Sequence, residues 1–129
     1  MTTNIIDNLK YTKDHEWVAI EGEFFTMGVT DFAQNALGDI VFIECPAVGT
    51  KIQLGKALGV VESIKSVSDI FAPLSGEVVA VNDEVVNSPD LCNSDPYGAW
   101  MVKAKISNPG EISTLLDSKQ YSAVCDSGH

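Results

Sequence analysis

The side chain best placed for chemistry is Lys65, in the run Glu62-Ser63-Ile64-Lys65-Ser66-Val67-Ser68-Asp69. A lysine that forms Schiff bases or takes up protons needs a lowered pKa, supplied by apolar burial or a second cation. Hydroxyls and the carboxylates of Glu62 and Asp69 act the other way and favour the ammonium. Lys65 therefore reads as a displayed amine, open to modification by another protein, and not as a catalyst. The ordinary alternative for a lone lysine is a solvated turn residue. A second cluster is Asp14-His15-Glu16-Trp17. His15 has no nucleophile beside it and the other histidine is His129, so a structural hydrogen bond is its expected role. Trp17 and Trp100 are expected as core or cleft-wall aromatics. Cys45, Cys92 and Cys125 form no CxxC pair and have no histidine at zinc-ligand spacing, which predicts reduced, structural thiols and no metal.

The elements around Lys65 read as short strands. Glu16 to Ile20 and Phe24 to Val29, joined across Glu21-Gly22, predict a hairpin. Thr30 caps a helix over Asp31 to Leu37, and Gly38 is its left-handed stop. Ile40 to Ile43 is expected as a buried strand. Leu58 to Val61, Ile70-Phe71 and Val78 to Val81 follow, separated by Gly55, Pro73 and Gly76. Lys65 stands ten residues after Gly55 and eleven before Gly76, so a hairpin centred on Ser63 to Ser66 would lift it to the tip. Leu58, Val60, Val67 and Phe71 are expected to anchor the legs. Asn87 to Gly98 is dense in turn formers and reads as an ordered loop before a strand from Trp100 to Ile106. Glu111 to Leu116 and Lys119 to Val124 read as short helices, the second capped by Asp117. The expectation is a mostly β sandwich or barrel with helices at its margins.

The chain has 129 residues and a formal net charge of −10, from 8 basic and 18 acidic side chains. That length suits one domain, and 45% hydrophobic residues suffice for a core. The acidity disfavours nucleic acid and anionic membrane surfaces. No apolar run reaches membrane-spanning length and the N-terminus lacks a signal-peptide core, so the expected compartment is the cytoplasm. An imported mitochondrial matrix protein with its presequence removed would look the same.

The segment Gly59-Val60-Val61-Glu62-Ser63-Ile64-Lys65-Ser66-Val67-Ser68-Asp69-Ile70-Phe71-Ala72-Pro73-Leu74-Ser75-Gly76-Glu77-Val78 resembles the lipoyl-attachment segment of glycine cleavage H proteins. The resemblance extends to Tyr11-Thr12-Lys13-Asp14-His15-Glu16-Trp17-Val18, Gly28-Val29-Thr30-Asp31-Phe32-Ala33-Gln34, Leu37-Gly38-Asp39-Ile40-Val41-Phe42 and Asp95-Pro96-Tyr97, covering roughly residues 9 to 125. A biotin carrier would show Met-Lys-Met, and lipoyl domains of 2-oxoacid dehydrogenases usually place Asp before the lysine, where this chain has Ile64.

The resemblance implies a flattened barrel-sandwich hybrid of the lipoyl-domain type, one domain over 1–129, with a lipoyl hairpin at about 57–81 and a helical segment at about 109–125. It implies lipoate on Lys65 as lipoamide, with Glu62 and Gly76 helping the lipoylating enzymes recognise the hairpin. It implies a noncatalytic carrier that takes an aminomethyl group from the pyridoxal-phosphate glycine decarboxylase (P protein) to the folate-dependent aminomethyltransferase (T protein). Dihydrolipoyl dehydrogenase (L protein) reoxidises the arm. Asp14, Glu16 and Asp69 match positions that line a cleft for the cationic loaded arm. The alternative within this resemblance is a relay that passes its lipoyl group to other complexes. Departures are Gly98-Ala99-Trp100, one residue shorter than usual, Cys45 for an aliphatic residue, and Ala104 for a larger one.

Overall fold

A computed structural model of the chain describes residues 4–126. Its strands are β1 (Lys10–Tyr11), β2 (Glu16–Glu21), β3 (Phe24–Val29), β4 (Ile40–Glu44), β5 (Lys51–Ile52), β6 (Ala57–Ser63), β7 (Val67–Phe71), β8 (Gly76–Val81) and β9 (Val102–Ile106). The helices are α1 (Asp31–Leu37), α2 (Asp83–Asn87), α3 (Leu91–Ser94) and α4 (Ser118–Asp126), with a 3₁₀ helix at Pro109–Thr114. Six strands form one sheet in the order β1-β2-β3-β9-β8-β5, and three form a second in the order β4-β6-β7. One apolar cluster draws on both, including Phe25, Met27, Val78 and Val102 from the first and Ile43, Val61 and Ile70 from the second. The expected β sandwich with marginal helices is what forms.

Several local expectations hold for the reasons given. The Thr30 hydroxyl accepts the Ala33 N–H at 3.2 Å, Asp31 occupies the first turn, and Gly38 stops α1 at φ 81°. Asp117 accepts the Gln120 N–H at 2.8 Å at the start of α4. His15 is structural: it lies at φ 69°, stacks on Phe32 with ring centroids 4.3 Å apart, and its Nδ1 lies 2.8 Å from the Tyr121 hydroxyl. Tyr121 also bonds Thr30 Oγ1 at 2.7 Å and stacks on Tyr11, so α4 is tied to the first third of the chain. Burial pushes the Cys45 thiol up to about 11 and the Cys92 thiol up to about 12, which makes both inert packing groups at neutral pH. Trp17 is buried and its indole N–H donates to the Pro96 carbonyl at 3.0 Å.

Other expectations are corrected. The stretch from Asn87 to Gly98 is not helix-free: α3 lies within it, and α2 comes just before. Asn82 caps α2 through the Glu84 N–H, and the buried Val85 and Cys92 pin the two helices to the core, so tertiary burial overrides the turn-forming composition. The last strand begins at Val102, and Trp100 lies before it, half-buried. The segment after Asn108 is 3₁₀ and ends at Thr114. β4 buries Ile40 and Ile43, while Val41, at a register shift between Ile40 and Phe42, and Phe42 itself are exposed.

The hairpin around Lys65 is the antiparallel pair β6 and β7, residues 57–71. β8 does not continue it; that strand pairs with β9 and β5 in the six-stranded sheet. The legs are anchored only in part by the residues expected: Leu58 is half-buried against the core, but Val61, Ser63 and Ile70 are the buried side chains, Val60 and Phe71 are half-buried, and Val67 is exposed. Ser63 has to turn inward to knit the tip, and alternation then carries Val61 inward with it.

Candidate functional site

The tip of the β6–β7 hairpin is held by one buried hydroxyl. The Ser63 N–H donates to the Ser66 carbonyl at 2.8 Å. Ser63 Oγ, in turn, accepts the Lys65 and Ser66 N–H groups at 3.3 and 3.1 Å. The Ile64 N–H donates to the Asp39 carbonyl at 3.0 Å, which fastens the tip to the segment after α1. That segment is itself fixed by Asn93: its amide donates to Gln34 Oε1 at 3.0 Å and to the Gly38 carbonyl at 2.9 Å, and its carbonyl accepts the Ile40 N–H at 2.9 Å. Lys65 is exposed between these anchors, with the stem of its side chain passing over Gly38. The turn backbone is hydrogen-bonded at Ser63, Ile64, Lys65 and Ser66, and the lysine side chain is accessible. The Ser63 and Asn93 contributions went unread in the sequence; the serine-rich tip was the signal for the first, and nothing local marks the second.

Glu62 is half-buried and stands in register with Phe42 on one side and Val67 on the other. Gly76 lies in the other sheet, paired with Ile52 and Ile106. A Cβ there would run into the Lys105 carbonyl oxygen, so the glycine is required by close backbone packing.

A cleft of about 370 Å³ opens beside β7. Thr12, Asp14 and Glu16 line it from the β1–β2 connection, Phe71 and Pro73 from the end of β7, and Thr114 to Leu116 from the C-terminal segment. Backbone bonds between Tyr11 and Leu116, 2.8 Å in each direction, hold the C-terminal wall in place. Sequence reading missed this wall because its residues are distant in the chain and carry no chemical signature. Asp14 and Glu16 are thus brought together. Asp69 is not among the lining residues: it is exposed on the outward side of β7, two positions before Phe71 on the way from the tip to the cleft.

Glu16 is only 2% exposed. Its carboxyl accepts the Thr12 hydroxyl at 2.6 Å and the Phe71 N–H at 3.2 Å. Burial raises its pKa from 4.5 to about 7, the Asp14 charge pushes the same way, and the two donors pull against them. Between those values the folded chain keeps a proton on Glu16 that the unfolded chain has released. Stability therefore falls as pH rises through that window, and the full cost, about 3 kcal/mol, is present above its upper end. Glu16→Gln keeps both contacts, with its oxygen on the Phe71 N–H and its amide on Thr12 Oγ1. The variant is expected to be more stable than wild type at pH 8, and the difference should disappear by about pH 4. Urea unfolding across that range checks it; a difference independent of pH would show that Glu16 does not carry the raised value.

Comparison with known proteins agrees with this geometry. The family model described as "Glycine cleavage H-protein" matches residues 9–128. The glycine cleavage system H protein of Carboxydothermus hydrogenoformans is 52% identical over 120 residues, covering 92% of this chain and 92% of that protein. The one from Acidobacterium capsulatum is 50% identical over 124 residues, covering 95% and 96%. The crystal structure of a glycine cleavage system H protein from Mycobacterium marinum aligns with a TM-score of 0.85 at 39% identity, over 92% of this chain and 97% of that one. With the fold, the displayed lysine and the cleft in place, this chain belongs to the glycine cleavage H-protein family.

Proposed function

We infer that this chain is the lipoyl-bearing carrier of a glycine cleavage system, moving the aminomethyl group of glycine from the decarboxylase to the aminomethyltransferase. The observation that carries the reading is the pairing of an exposed Lys65 on a hydrogen-bonded turn with a cleft, at the far end of β7 from that tip, that buries a carboxylate. A free amine on a pinned turn fits amide attachment of lipoate, because the modifying enzyme need not order the loop first. When attached, the lipoyl disulfide supplies the two-electron acceptor to which the one-carbon unit is transferred.

The chain's own residues display, shelter and orient. Lys65 holds the arm at the tip, and Ser63 keeps the attachment point fixed. Glu16 loses its proton to pair with a cationic amine in the cleft, and Asp14 at the rim adds a second negative charge. Phe71, Pro73 and Leu115 exclude water from the cargo. Asp69 sits on the path from tip to cleft and serves the amine in transit. We assign Glu62 to recognition by the lipoylating enzyme, and Gly76 to the same process through the packing of β8. In this reading the protein is a noncatalytic substrate of its partners: the P, T and L proteins and the lipoylating enzymes. Its three unbridged cysteines suit a reducing compartment, the bacterial cytoplasm.

The test is reconstitution. Lipoylated protein mixed with the decarboxylase, the aminomethyltransferase and tetrahydrofolate is expected to give glycine-dependent methylene-tetrahydrofolate. No product with active partners and fully lipoylated chain would defeat the assignment.

A further inference from the structure

The outward face of the three-stranded sheet has an unusual composition. Register places Phe42, Glu62 and Val67 in one row across β4, β6 and β7, and Glu44, Val60 and Asp69 in the next. Residues directly opposite in antiparallel strands share a face, so three carboxylates alternate with three apolar side chains. Phe42 is 44% exposed and Val67 66%, while Val60 and Glu62 are half-buried. Ile64, beside Lys65 on the turn, is 71% exposed, which extends the apolar surface to the tip. None of the three strands contains a lysine or arginine. A face whose role is solubility would not leave an aromatic, a valine and an isoleucine open around one lysine.

We propose that this face is a docking surface for the enzyme that acylates Lys65, a partner that presents basic side chains around an apolar centre; the proposal rests on the reading of Lys65 as the attachment site. Continuity is the first argument. An active site that closes on Nζ covers the tip, and the row Phe42-Glu62-Val67 is the next surface it meets. Charge is the second. A second copy of this chain would set three carboxylates against three, and an anionic lipid surface would be repelled, whereas a basic protein surface is complementary. In the reaction, Lys65 Nζ attacks the lipoyl carboxyl of an acyl adenylate formed from lipoate and ATP; AMP leaves with the bonding electrons and the nitrogen gives up a proton.

Two readouts test the proposal with a purified lipoate–protein ligase. Lipoyl transfer from lipoate and ATP is followed by intact mass on chains that keep Lys65, and binding of the ligase is measured on a Lys65→Arg background, where no transfer occurs. Phe42→Ser with Val67→Ser, and separately Glu44→Lys with Asp69→Lys, are each expected to raise both KM for the chain and Kd at least tenfold, with kcat within threefold. The charge pair should also flatten the salt dependence of binding. Val79→Ser on β8 with Glu23→Lys at the β2–β3 turn, both exposed, is expected to change nothing. If both face pairs stay within twofold of wild type while wild type is acylated at Lys65, the docking face is wrong and the attachment site stands. If wild type is not acylated, or Lys65→Arg still is, the attachment reading fails first and takes the proposal with it. A concentration-dependent dimer that Phe42→Ser abolishes would assign the face to a second copy and overturn the proposal.

Discussion

Lys65→Arg is expected to abolish lipoylation completely while leaving the fold untouched. Arginine keeps the positive charge and most of the aliphatic stem, but its guanidinium stays protonated at any working pH and offers no nucleophilic amine. Nothing at the tip depends on the side chain itself, since Ser63 engages the backbone N–H of residue 65. The stability change should therefore lie within about 0.5 kcal/mol, as for other exposed substitutions. Intact mass of protein recovered from a lipoylating host, together with a thermal melt, measures both halves. A lipoyl-sized addition surviving in the variant would move the attachment to another of the chain's lysines. A large loss of stability would mean that the lysine stem is structural.

The second large effect is expected at Gly76. Any side chain there meets the Lys105 carbonyl oxygen across the β8–β9 pair, and backbone has little room to yield. Gly76→Ala should lower stability by about 3 kcal/mol, at the upper end of overpacking costs. Lipoylation should then fail only as the melting transition is approached, with near-normal rates at low temperature where the variant remains folded. This outcome separates two readings of one residue. A chain with unchanged melting but lost lipoylation would make Gly76 a direct contact for the modifying enzyme. A chain that melts early and is modified normally when cold makes it a packing requirement of the six-stranded sheet.

Much of the site was legible in the sequence because its signals are local. A capping threonine, a stop glycine and a serine-rich turn act within a few residues of themselves, so α1 and the displayed Lys65 appear where pattern places them. The reading failed where distant parts of the chain decide. Burial of Cys92 makes a helix within a turn-rich stretch. Val61 and Ile70, and not Val60 and Val67, are the buried residues of the β6–β7 hairpin because a period of two cannot say which face is buried, and the inward turn of Ser63 settles it. The pairing of Glu62 with Phe42 required a register that no local pattern encodes. The cleft wall from Thr114 to Leu116 is likewise fixed by backbone bonds to Tyr11.

The two halves of the site differ in how far apart in the chain their parts lie, and that bears on when each forms. The tip closes between Ser63 and Ser66, three positions apart. The cleft needs the first third of the chain to meet the C-terminal segment, a closure typified by His15 and Tyr121, 106 positions apart. Loop-closure entropy makes that second event costlier by roughly 3 kcal/mol, an expense met only once the C-terminal contacts exist. Ordering by contact separation places the hairpin early in folding and the cleft late. During synthesis, the lysine can be presented while the last residues are still inside the ribosome, whereas the cleft is complete only once the C-terminal segment has emerged to pair with Tyr11.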